Sequence, residues 1–354
     1  MSTWGSGTIC VQGGWTPQPG EPRVLPIFQS TTYKYEDIDQ VERLFALEET
    51  GFKYTRTGNP TVAALEAKVA ALERGVGALA LASGQAANLL AIANLCGAGD
   101  HVVSAATLYG GTYTLFDTKL RKLGIDVTFV DPEAPAEELA RAFRPATKAL
   151  FAETIGNPGL GILDLPKFGA LARRFDVPFI VDNTLATPIL CTPLAHGAHL
   201  VTHSATKYMD GHATSLGGVI VDGGTYDWTN GKFPEFTEPD PTYAGARYAT
   251  SFAPAAFVTK ARAQYLRDFG VCLSPFNAFI LSLGIETLHL RMPQHSRNAL
   301  ALARFLASHP RVAWVNYPGL ESHPHHRRLR ALFSRPEASG ILTFGLRGGR
   351  QAAR

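Results

Sequence analysis

The feature that most constrains this chain is a succession of short apolar runs that do not alternate with polar residues. "ALALAS", "HVVSA", "IDVTFVD", "KALFAET", "VPFIVDNT", "HLVTHSA" and "LGGVIVDG" follow one another between residues 78 and 223. A strand with one wet face alternates, whereas a continuously apolar strand needs cover on both faces. Between these runs lie stretches with helical spacing, such as "QAANLLAIANL", "LFDTKLRKLG" and "LPKFGALARRFD". That order predicts an α/β fold, a mainly parallel sheet covered by helices.

Residues 1–58 read differently. They are rich in Pro and Gly ("GGWTPQPGEPRVLP"), with one helix-like stretch, "DIDQVERLFALEE". Such a segment has little core of its own and is expected to lie as an arm on another surface. The main domain begins at Asn59, a good N-cap, with Pro60 at the first helical position and Gly75 expected to end the run. It extends over 59–285. A long irregular stretch from Asp222 to Phe252 reads as a functional loop or contact surface. Residues 286–354 read as a smaller, partial α+β domain, with a long helix and the strands "RVAWVNYP" and "GILTFGLR". The final "RGGRQAAR" reads as a helix that has only begun, so the segment looks cut.

Composition removes several classes of function. A net charge of +3 over 354 residues, with no basic run interleaved with aromatics, gives no nucleic-acid footprint. No stretch is long and apolar enough to span a bilayer and no leader pattern opens the chain, so a cytoplasmic location is expected. Cys10, Cys96, Cys191 and Cys272 are scattered, without metal or disulfide spacing.

Ligands of open parallel sheets gather at the carboxyl ends of the strands. Ser83, Gly84 and Gln85 end one strand and open a helix, a turn whose amides suit an anion. Asp182 ends a second strand. Ser204, Thr206 and Lys207 end a third, and "ETIGNP" ends a fourth. Each has a bland reading, as a tight turn, a helix cap or a solvated amine. Together they match pyridoxal 5′-phosphate, whose phosphate takes amide and hydroxyl donors, whose ring nitrogen takes a carboxylate and whose aldehyde takes a lysine amine. Asp182 and Lys207 are 207 − 182 = 25 residues apart, one strand–helix–strand step.

"YTRTGNPT", "LASGQAANLL", "LYGGTYTLF", "ETIGNP", "VDNTLATP" and "HSATKYMDGH" resemble the pyridoxal-phosphate enzymes of cysteine and methionine metabolism, in register from about Thr8 to Arg354. "VDGGTYDW" and "GKFPEFTEPDPTYAG" resemble the O-acetylhomoserine sulfhydrylases within that family, although Ala244 stands where that subfamily carries a histidine. The resemblance implies a fold-type I, aminotransferase-like architecture. It implies that Lys207 bonds the cofactor and later carries protons, that Asp182 pairs with the ring nitrogen, and that Tyr109 stacks on the ring. Gly84, Gln85, Ser204 and Thr206 would hold the phosphate and Asn157 the ring hydroxyl. Tyr54 and Arg56 would reach the phosphate of a neighbouring subunit, which implies a homo-oligomer, a dimer of dimers. The implied substrates are an amino-acid ester and sulfide or a small thiol, with Lys207 acting in a low-polarity pocket.

Three other readings stand beside this one. The chain could be a cystathionine γ-synthase or lyase or a methionine γ-lyase. It could be an inactive paralogue, because the arginine that the resemblance implies for the substrate carboxylate has no matching residue here and Arg347 lies upstream of its place. His323, His325 and His326 of "ESHPHHRR" could hold a metal, though no carboxylate or cysteine is spaced to complete the set. His203 and His212, beside the lysine, read as packing residues.

Overall fold

The computed structural model describes residues 4–335 and 337–352; the outermost residues of the arm and of the C-terminal segment lie outside these. All seven apolar runs form strands: β1 (Gly77–Leu81), β2 (His101–Ala105), β3 (Asp126–Val130), β4 (Thr147–Glu153), β5 (Phe179–Asp182), β6 (Leu200–Ser204) and β7 (Gly218–Asp222). They make one sheet in the order β1-β7-β6-β5-β4-β2-β3. β2 to β6 run parallel, and β7 is inserted antiparallel between β6 and β1. Side chains alternate between two buried faces. Val181, Val201 and Val219 enter one core, while Ile180, Leu200 and Ile220 enter the other. This is why the runs are apolar throughout.

The register places Glu153 beside Asp182, Asp182 beside Thr202, and Ser204 beside Gly218, which in turn pairs with Leu81. The carboxyl ends of β1, β4, β5 and β6 therefore share one edge of the sheet.

Before the sheet come α1 (Ser6–Gln12), α2 (Ile38–Phe45) and α3 (Pro60–Glu73). The Asn59 side chain caps α3, accepting from the amides of Thr61 and Val62. Gly75 does not end α3 as expected; Arg74 does, in the left-handed conformation at φ 64°. Gly75 answers a different need. A Cβ there would strike Val221 Cγ1 and lie 2.7 Å from the Asp222 carbonyl, so only glycine lets α3 close onto β7.

α4 (Gly84–Ala93) and α5 (Leu165–Phe175) match the expected helices, whereas "LFDTKLRKLG" widens into a π-helix over Leu115–Leu120. The 222–252 stretch is largely irregular and partly exposed, but its aromatics anchor it. Trp228, Phe233, Phe236 and Tyr248 are buried in the chain's own core, with Trp228 stacked on Phe236 at 4.3 Å between centroids. Lys260 is sealed beneath them, 3.2 Å from both the carbonyl and the side-chain oxygen of Asn94, and burial pulls its pKa down to about 8.

Then follow α6 (Pro275–Glu286) and α7 (Leu288–Ser308), an antiparallel pair of β8 (Val312–Asn316) and β9 (Thr343–Leu346), and α8 (His326–Leu332) between those strands.

Gly75→Ala is expected to destabilise the protein by about 1–3 kcal/mol through overpacking against β7. Gly97→Ala, with open space around the new Cβ, should stay within about 0.5 kcal/mol of the parent. Denaturant unfolding of both variants checks this, and equal midpoints would contradict it.

Candidate active site

The strand-end edge collects most of the residues singled out in the sequence. Ser83 caps α4, its hydroxyl accepting from the Ala86 amide at 3.2 Å. The amides of Gly84 and Gln85 stand ahead of the first intrahelical bond, from Ala87 to the Ser83 carbonyl, at the positive end of the helix. A Cβ on Gly84 would lie 2.5 Å from Ser204 Cβ and 2.8 Å from its Oγ. Glycine therefore lets the helix terminus and the Ser204 hydroxyl share one small concavity. Gly218 does the same on the other side, where a Cβ would collide with the Ser83 carbonyl.

Asp182 is half-buried and fully oriented. One carboxylate oxygen accepts from the Thr184 amide (3.0 Å) and hydroxyl (2.5 Å), the other from the Asn88 side chain at 3.2 Å. Asn88 accepts from the Thr202 hydroxyl at 2.6 Å. Thr184 also accepts from the Ser204 amide at 2.8 Å, which ties β5 to β6. A carboxylate oxygen accepts more than one hydrogen bond, so Asp182 retains capacity toward a ligand.

Tyr109 stands half-exposed at the start of the next helix. Its ring lies against Gly111, where a Cβ would be 2.5 Å from Tyr109 Cε1 and 3.3 Å from Gln85 Nε2. Asn157 follows β4 and is half-buried. Glu153, at the tip of β4, accepts the Tyr109 amide at 2.7 Å. Burial, reinforced by the neighbouring Asp182 charge, pushes the Glu153 pKa well above the usual carboxylate range, against the pull of the Tyr109 and Asn157 amides.

Lys207 lies on the turn after β6, its amide donating to the Ser204 carbonyl at 3.2 Å. The turn is braced twice. Asp210 accepts from the amides of His212 and Thr214 and from the Thr214 hydroxyl. Arg291, from α7, donates to the Tyr208 carbonyl at 2.7 Å. Gly211, at φ 71°, leaves room for that guanidinium. The low-polarity pocket expected around Lys207 is absent within one chain, where the side chain is exposed. The Thr206 hydroxyl is engaged with Gly217, donating to its carbonyl at 3.2 Å and accepting from its amide at 3.1 Å.

Tyr54 and Arg56 are elsewhere. Both are exposed and line a cavity of about 850 Å³ with Phe52, Lys53, Tyr243 and Arg262, and none of the strand-end residues lines it. The three histidines proposed for a metal are otherwise occupied. His325 Nδ1 accepts the Ile162 amide, His323 Nε2 faces Asn316 Oδ1 at 2.8 Å, and His326 Nδ1 faces the Pro318 carbonyl at 3.1 Å.

Sequence reasoning passed over Asn88, Thr184, Glu153, Asp210 and Arg291. Asn88 had a signal, as the polar residue in the apolar helix "GQAANLLAIA". Glu153 had one as an acid ending an apolar strand. Asp210 had the turn pair Asp-Gly, and Arg291 had none.

Helix-end amides, an oriented carboxylate and a lysine share the carboxyl edge of a mainly parallel sheet, and the architecture is that of the fold-type I pyridoxal-phosphate enzymes. The chain belongs to the family described as Cys/Met metabolism PLP-dependent enzyme, whose model matches residues 7–354. The O-acetyl-L-homoserine sulfhydrylase of Leptospira meyeri is 46% identical over 98% of this chain and 80% of its own length. O-acetyl-L-homoserine sulfhydrylase 1 of Thermus thermophilus is 46% identical over 98% and 83%. A metY chain from Campylobacter jejuni, solved with N′-pyridoxyl-lysine-5′-monophosphate at its own position 205, has a TM-score of 0.94 at 35% identity, covering 97% of this chain and 86% of that one.

Proposed function

We propose that this enzyme replaces the γ-substituent of O-acetyl-L-homoserine with sulfide or a small thiol, releasing acetate and giving homocysteine, or methionine from methanethiol. The observation that carries the reading is the shared edge, where the α4 amides, Asp182 and Lys207 meet in a chain that is 46% identical to sulfhydrylases over nearly its whole length. A metB chain of Corynebacterium glutamicum is a weaker structural match, at 33% identity and a TM-score of 0.82 against 0.94 for the metY chain.

The residues present fit pyridoxal phosphate. The amides of Gly84 and Gln85 with the hydroxyls of Ser204 and Ser83 suit a phosphate, and Thr206 joins them by turning its hydroxyl away from Gly217. Asp182 suits a protonated ring nitrogen, Asn157 a ring hydroxyl, and Tyr109 a ring face. Bound there, the cofactor supplies an electron-poor ring that takes up charge when a substrate carbon loses a proton. The leaving group sits on the γ carbon, so acetate departs only after protons are taken from both the α and β carbons. Lys207 is the base for both removals and returns the protons after sulfur adds. Asp182 is held by Thr184 and Asn88 in the orientation that would face the ring.

The arm, 1–58, is proposed to serve a neighbouring copy. Tyr54 and Arg56 would close the partner's phosphate site, and the partner's arm would wall in Lys207. Exposed Phe28, Phe45, Phe52 and Ile38 on the arm suit burial in such a dimer, and two dimers would form the tetramer. Residues 59–285 are then the cofactor domain and 286–354 the small domain. No described helix is long and apolar enough to cross a membrane, and a cytoplasmic location is part of the same proposal.

Purified chain loaded with pyridoxal phosphate is expected to form homocysteine from O-acetylhomoserine and sulfide, while Lys207→Ala loses at least about a thousandfold in kcat. Homocysteine formation that survives Lys207→Ala would refute the role of the lysine. The shared site has its own test. Lys207→Ala and Arg56→Ala chains, each impaired alone, should recover about a quarter of the parental rate when unfolded and refolded together, because half the dimers then hold one intact site of two. No recovery on mixing would place Arg56 and Lys207 in the same subunit's site.

A further inference from the structure

We propose that Glu153 is a positioning residue that sets both side chains flanking the cofactor ring, holding the backbones of Tyr109 and Asn157 on two separate loops from one carboxyl group. The inference rests on the functional reading above, since Tyr109 and Asn157 matter to the ring only if the ring binds there.

The geometry is specific. β2 and β4 are neighbours, and each continues into a loop at the carboxyl edge. Tyr109 lies on the loop after β2 and Asn157 on the loop after β4. Glu153 is the last residue of β4 and only 7% exposed. Its Oε1 takes the Tyr109 amide at 2.7 Å, and the Asn157 amide lies near enough to the same carboxyl to lower its pKa. Tyr109 has no side-chain cap for the helix it precedes, so this carboxyl fixes the start of that helix and with it the direction of the ring. The loop after β2 is also packed on the loop after β4 at Gly156, where a Cβ would lie 3.0 Å from the Thr107 carbonyl.

An acid here has an electrostatic logic. Glu153 and Asp182 are register partners on adjacent parallel strands, so their side chains leave the same face. Two anions so placed would repel, and burial penalises the deeper one more. Glu153 is that one, and burial together with the neighbouring Asp182 raises its pKa. A neutral carboxyl still accepts amides. Glutamine reproduces the neutral carboxyl in shape and acceptor; alanine removes the acceptor.

The test is titration of the cofactor-free full chain with pyridoxal phosphate, read by visible absorbance and by the induced circular dichroism of the bound cofactor. Thermal unfolding of each cofactor-free variant runs alongside. Glu153→Gln is expected to keep the dichroic band and an affinity within about twofold of the parent. Glu153→Ala should lose most of the band and about tenfold in affinity, the scale of one buried hydrogen bond removed. Should Glu153→Ala not fold, Glu153→Asp takes its place, being one methylene too short to reach Tyr109. An alanine variant with full band and affinity would overturn the proposal, as would a glutamine variant that falls as far as alanine. If the parent chain itself gives no visible band, the cofactor reading fails first and takes this inference with it.

Discussion

The site depends on one buried amide. Asn88, on the second turn of α4, donates to Asp182 and accepts from Thr202. It therefore locks the helix whose amino end is proposed to hold the phosphate to the two strands that carry Asp182 and the lysine turn. Both functions of its side chain are used inside the protein, where an unmade hydrogen bond is most costly. Glycines 84 and 218 then allow the backbones to close to the separation this bond sets. Chemistry on three chain segments is thereby held in one place before any ligand arrives.

The opposite face of the same strands carries a second polar cluster. Glu73, from the end of α3, accepts from Asn183 and faces His203 Nε2, both at 2.7 Å. Asn183 follows Asp182 and His203 precedes Ser204, so each site residue has a neighbour anchored from behind. The second oxygen of Glu73 has no hydrogen-bond partner. A buried polar group of this kind is weak evidence for net stability. Arg291 completes the bracing from α7, gripping the turn that carries Lys207. His203 is thus a packing residue, as its sequence position beside the lysine suggested.

The sheet was legible because burial on both faces writes itself directly into composition: seven apolar runs became seven strands. The carboxyl-edge rule then pointed to Gly84, Asp182 and Lys207. Details set by tertiary contact were not legible. Gly75 reads as a helix stop, yet it is required by the closeness of Val221, more than a hundred residues away. The stretch around Trp228 and Phe236 reads as a loop because its aromatics lack periodicity, although they fill a core. Glu153 and Asn88 stand out as polar residues in apolar surroundings, but their partners appear only when the register sets Glu153 beside Asp182 and α4 brings Asn88 to it. The low-polarity pocket expected around Lys207 is not formed by one chain, which leaves the lysine exposed.

The most direct measurement is the attachment point of the cofactor. Pyridoxal phosphate added to the full chain, fixed by borohydride reduction and located by peptide mass mapping, should label Lys207. Label on another lysine, such as half-buried Lys53 or sealed Lys260, with Lys207 unmodified, would contradict the site described.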